Sequence, residues 1–86
     1  MYSYVVSKFA SELPDLSALF YEHESTIPVR TDLLPMLIAF KDGDKFSGTV
    51  ILFSLLNDLS DRGIDVKSHK KTLMALQNKM MDEMVQ

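Results

Sequence analysis

Hydrophobic residues recur along this chain mostly at helical intervals. Tyr2, Val5, Val6, Phe9 and Leu13 fall at i, i+3, i+4, i+7 and i+11, with Ser3, Ser7, Ser11 and Glu12 off that face. Pro14 ends or kinks this helix, because proline disfavours helical geometry at the residue before it. Pro14-Asp15-Leu16-Ser17 then suits a new first turn, where proline is tolerated and aspartate matches the helix dipole. Leu16, Leu19 and Phe20 give this second helix a short apolar stripe, with Glu22 and Glu24 towards water. Residues 25–30 are rich in β-branched side chains and interrupted by Pro28, which predicts an extended connector or a short edge strand.

Thr31-Asp32 reads as an N-cap pair ahead of Leu33, Met36, Leu37 and Phe40 at helical spacing. Pro35 fits only in the first turn of that helix, and Gly43 stops it. The segment 49–59 is the most apolar of the chain, with only Ser54, Asn57 and Asp58 polar after Thr49. As a helix over about 46–61 it is apolar in almost every direction, and such a helix is buried. Arg62-Gly63-Ile64 closes it with a glycine C-cap. Asp65 or Ser68 caps a last helix that runs to near the terminus. Leu73, Leu76, Met80 and Met84 form one stripe there, and Met74, Met81 and Val85 form a second beside it. Together they cover about half the circumference, wider than a minimal core-facing stripe of roughly 100°.

These elements predict a single small domain over residues 1–86, an all-α bundle of four to five helices around a buried central helix. The alternative is α+β, with residues 36–40 and 46–53 as strands joined across Asp42-Gly43, a strong hairpin signal. Residues 34–43, Leu-Pro-Met-Leu-Ile-Ala-Phe-Lys-Asp-Gly, resemble the proline-led hairpin of thioredoxin-like folds over those ten positions, without the redox cysteines of such folds.

Composition narrows the setting. No cysteine is present, which removes disulfides, thiolate zinc sites and thiol catalysis, and suits a reducing cytoplasm. The longest apolar run falls far short of the roughly 20 residues that span a bilayer, and residues 1–8 lack a signal-peptide pattern. The expected setting is soluble and cytoplasmic. The net charge of −3 is unevenly spread: residues 1–24 balance to −3, 25–60 to −1 and 61–86 to +1. An acidic front with a mildly basic tail argues against a general polyanion binder.

Candidate chemistry is sparse. Asp42-Gly43-Asp44 fails as a calcium loop, because Phe46 and Phe53 stand where oxygen ligands are needed. His23 and His69 are the only histidines, and nothing around them has ligand spacing. Ser68-x-x-Lys71 matches an acylating-enzyme spacing without the companion motifs. No cofactor or metal is expected, and no enzyme activity. Arg62, Lys67, Lys70 and Lys71 cluster with His69 around the last interhelical turn, which resembles the turn into the recognition helix of a helix-turn-helix. Asp61 and Asp65 interrupt that patch. The expected function is a non-enzymatic protein–protein interaction module: an adaptor, a chaperone-like factor, or an inhibitor or immunity-type protein. Met74, Met81 and Val85 form its surface, thioether side chains being adaptable to irregular partners, and self-association through the same helix is its simplest form. Nucleic-acid binding through Arg62, Lys67, Lys70 and Lys71 is the alternative.

Overall fold

The computed structural model describes residues 2–28 and 30–85, the last by its backbone alone. Its first helix, α1 (Tyr2–Lys8), carries the predicted apolar face to the core: Tyr2, Val5 and Val6 are buried. The regular helix stops earlier than the spacing implies. Phe9 and Leu13 nevertheless stay on the same side and are buried, because residues 9–13 continue as turns in which the Leu13 N–H donates to the Phe9 carbonyl at 2.8 Å. Pro14 opens α2 (Pro14–His23) in its first turn, and Leu16 and Phe20 face inward. A 3₁₀ turn, Glu24–Thr26, follows, and the chain is extended at Arg30. Residues 25–30 are therefore a connector in which no strand is described, and Val29 lies outside the described residues.

Thr31 and Asp32 depart from the predicted cap. They sit in a second 3₁₀ turn, Thr31–Leu33, and α3 (Leu34–Lys41) starts one step later with Pro35 in its first turn. Asp32 turns to Arg30 instead: its carboxylate accepts from Arg30 Nη2 at 2.7 Å and from Nε at 3.2 Å. A two-pronged charge-assisted contact outcompetes a single cap hydrogen bond.

Asp42-Gly43 makes a helix end and not a hairpin, so the α+β alternative and the thioredoxin-like resemblance do not hold. Gly43 has φ of 108°, its N–H donates to the Phe40 carbonyl at 3.0 Å, and the Asp44 N–H reaches the Ala39 carbonyl at 2.9 Å. That pair of bonds is the Schellman closure, and it satisfies carbonyls the helix leaves open. The same closure recurs at Gly63, where φ is 87°. The Gly63 and Ile64 N–H groups there donate to Ser60 and Leu59. Between the two closures runs α4 (Lys45–Asp61), and after the second comes α5 (Lys67–Val85). Among the described residues the fold is all-α, with five helices and no strand.

The core is one cluster that α4 traverses. Ile51, Leu52, Leu55, Leu56 and Leu59 are buried, and α1, α3 and α5 all pack on this helix. Most of its apolar circumference is buried as predicted, while Val50 and Phe53 are only half-buried. Gly48 allows the closest approach, since a Cβ there would lie 2.5 Å from the Phe40 ring and 2.7 Å from the Phe9 ring. Those rings stack with centroids 5.8 Å apart, and Tyr4 meets Phe40 edge-on. Where α4 meets α5, buried polarity is matched. Thr49 is fully buried, donates to the Phe46 carbonyl at 2.6 Å, and accepts from Gln77 Nε2 of α5 at 2.8 Å.

Candidate interaction surface

The outer side of α5 is built by a mismatch between its length and its cover. Its first half is anchored: Val66 just before the helix is buried, and Leu73 is fully buried against the core. Asp65 Oδ1 accepts from the Lys67 N–H at 3.1 Å, satisfying one of the open donors at the helix start from one residue ahead of Val66; Ser68 has a different part, its carbonyl receiving the Thr72 hydroxyl. Towards the C-terminus the predicted core stripe loses its cover. Leu76 and Met80 are half-buried, and Met84 is 71% exposed. Met84 is therefore a surface residue, because the opposing wall at Gly43, Lys45 and Phe46 stands off from it. The gap is a groove of about 520 Å³ lined by Phe46, Leu76, Met80 and Met84, with Glu12, Lys45, Lys79 and Glu83 at its polar edges. Lys45 is held across the rim by Glu12 and lies 5.4 Å from the Phe9 ring centroid.

The second stripe is exposed. Met74 is 48% and Met81 is 41% accessible, and being seven residues apart they share a face. Val85 follows on the same helix, its side chain outside the described ones. Gln77 escaped the sequence reading altogether: it is nearly buried between the two stripes, where an apolar residue is the default. Its signal was Thr49, a polar residue at the start of an otherwise apolar segment that needs a partner once buried.

Arg62, Lys67, Lys70 and Lys71 are gathered at the turn between α4 and α5, with Lys70 half-buried and the others exposed. Lys67 and Lys70 border an open recess with Ser60, Gly63, Ile64, Asp65 and Val66. None of these four cations has an ion-pair partner among the described residues. Ser68 and Lys71 are both exposed and share no hydrogen bond, so no nucleophile–base pair is set up. His69 is half-buried beside Glu12, Leu13, Pro14, Asp15, Leu16 and Thr72, a shallow recess of about 130 Å³. No cluster of three metal-ligating side chains occurs among the described residues.

Two features had no counterpart in the sequence reading. Leu34, Met36 and Ile38 are exposed on α3, Ile38 by 60%, so Met36 is a surface residue and not the core position its spacing predicted. The short α3 has only Leu37 and Phe40 to turn inward. Arg30 also forms a node. Its backbone N–H donates to the Tyr2 hydroxyl at 2.6 Å, and Nη1 lies 3.5 Å from Asp58 Oδ1. Hydrogen bonding to Arg30 holds the Asp32 carboxyl below the usual carboxylate range, and the same bonds raise Arg30. Asp58 Oδ2 is buried without a hydrogen-bond partner among the described residues.

No described helix is long and apolar enough to cross a membrane. Family models, curated proteins and solved structures yield no match to this chain.

Proposed function

We propose that this chain is a cytoplasmic, non-enzymatic helical interaction module that binds another protein, or itself, through α5. The supporting observation is the exposed line of Met74, Met81 and Met84 on a helix whose main neighbour is α4. Leucine or methionine on a helix surface is ordinary when single; three on one element beside an open apolar groove form a patch of the kind that marks interfaces. Docking would follow helix-in-groove recognition, with apolar anchors at turn spacing and adaptable thioethers filling the partner's irregularities. Adaptor, chaperone-like and inhibitor roles all use such a surface.

The test separates surface from core. Met74→Lys with Met81→Lys alters exposed positions only, so the melting temperature should stay within a few degrees of the parent. Capture of partner protein from native extract, scored by mass spectrometry against that variant, should be lost. Unchanged stability together with unchanged capture and unchanged oligomeric state removes α5 as the surface.

A second reading, nucleic-acid binding through Arg62, Lys67, Lys70 and Lys71, is favoured by one observation, the absence of acidic partners for these cations among the described residues. It requires a gel shift that weakens steeply with salt and with each lysine removed. No shift of a random duplex or single strand at low ionic strength disposes of it.

A further inference from the structure

We propose that α5 docks antiparallel on α5 of a second copy of this chain, Met74 of one copy against Met81 of the other. The inference rests on the interaction-module reading and names its partner. What points to a second copy is the order of charges along the helix. Lys67, Lys70 and Lys71 occupy its start and Asp82 and Glu83 its end, with no acid in the first turn and no base in the last. Asp65 just ahead of the helix does accept from the Lys67 N–H, but within the helix this order opposes its own dipole, which favours acids at the N-terminus and bases at the C-terminus. An antiparallel twin corrects both ends at once. It brings the acidic end of one helix, with its negative dipole pole, beside the basic end of the other.

The face that would meet is continuous. Lys71, Met74, Asn78, Met81 and Asp82 are all exposed and lie within about a third of the helix circumference at 3.6 residues per turn. With a two-fold axis passing between Gln77 and Asn78, Met74 faces Met81 of the second copy, and Lys71 comes within one turn of that copy's Asp82. The contact is isologous, so each favourable pair occurs twice. A single helix pair buries less than the roughly 800 Å² per partner of a standard interface. The dimer is accordingly concentration-dependent, in the micromolar to millimolar range.

Sedimentation equilibrium on the full chain, followed from micromolar to millimolar concentration, supplies the test. The expected result is a dimer that weakens as salt rises. Lys71→Glu alone and Asp82→Lys alone each place like charges at both ends and should weaken it about tenfold, the equivalent of two exposed ion pairs. Mixing the two variants one to one should restore association. Because the chain has no cysteine, Met74→Cys and Met81→Cys report geometry cleanly: the mixture should cross-link as a heterodimer, while Met74→Cys alone should not, its two copies lying about 10 Å apart along the axis. Cross-linking of Met74→Cys to itself alone would mean a parallel pair and overturn the proposal. So would a strict monomer at millimolar concentration. In that last case, partner capture abolished by Met74→Lys with Met81→Lys would leave the module reading standing, whereas capture that ignores the variant would remove both.

Discussion

Gly48→Ala separates two effects of opposite sign. In an exposed helix the change is stabilising by about 1 kcal/mol, since glycine is that much poorer than alanine in a helix interior. At position 48 the new methyl would lie 2.5 Å from two atoms of the Phe40 ring and 2.7 Å from the Phe9 ring. Distances below 3.0 Å force something to move. Neither ring can do so without disturbing its aromatic neighbour. Phe40 is stacked on Phe9 and capped edge-on by Tyr4, with both centroid separations 5.8 Å. Overpacking a well-filled core costs roughly 1–3 kcal/mol, and displacing Phe40 disturbs aromatic pairs worth about 0.5–1.5 kcal/mol each. The upper part of the overpacking range applies, so the steric effect exceeds the propensity gain and leaves a net loss of about 2 kcal/mol.

For a chain of this length that corresponds to a fall in melting temperature of roughly 10 °C, measured by far-ultraviolet circular dichroism. Phe40→Leu provides the control. It opens the space above Gly48, so adding Gly48→Ala in that background should cost far less, with a coupling of at least about 1 kcal/mol. A melting temperature that stays level or rises in Gly48→Ala alone would refute the reasoning. It would mean that Phe40 yields to the added methyl without penalty, and that α3 is not held in a fixed position on α4.

Gln77→Leu should cost about 1 kcal/mol in urea unfolding, because the buried Thr49 hydroxyl loses the donor at 2.8 Å. Thr49→Val with Gln77→Leu together should cost less than the sum of the single changes. Gly43→Ala and Gly63→Ala should each lower stability by about 1–2 kcal/mol through backbone strain alone, since φ is positive at both and no atom lies near the added Cβ. The Asp32 carboxyl is held below its ordinary range by Arg30, so its contribution is present above the unfolded value of about 3.9 and lost as pH falls through the lower folded value. Asp32→Asn should remove that part of the acid sensitivity, seen as a smaller drop in urea midpoint between neutral pH and about pH 2–3.

Helix boundaries were legible wherever a residue has a backbone requirement of its own. Pro14 and Pro35 sit in first turns, and Gly43 and Gly63 close helices with positive φ. Asp42-Gly43 was ambiguous because a type I′ hairpin and a Schellman closure both ask for glycine at positive φ. What decided it lay outside the dipeptide: residues 46–61 are long enough to span the core as a helix, and Gly48 admits the Phe40 ring as it does so. Tyr2, Val5, Val6, Phe9 and Leu13 were legible as one buried face even though regular helix ends at Lys8, because burial follows direction and not hydrogen-bond pattern. Thr31-Asp32 misled, as a cap is a local preference and Arg30 offered the carboxylate a stronger contact two residues away.

The surface follows a different logic. Apolar spacing says which side of α5 faces inward, but burial there depends on how far the opposing wall extends, so Leu73 is covered and Met84 in the same stripe is not. Gln77 shows the converse, a polar residue drawn inside by the hydroxyl of Thr49. The charge order of α5 belongs with the features that sequence does carry. Cations at a helix start and acids at its end do not stabilise that helix by themselves, and Lys67, Lys71 and Asp82 are all exposed. A helix whose apolar flank is uncovered and whose charges run against its own dipole is better suited to an external neighbour than to solitude. An antiparallel second copy, as proposed, would set Lys71 within one turn of Asp82 at both ends of the pair.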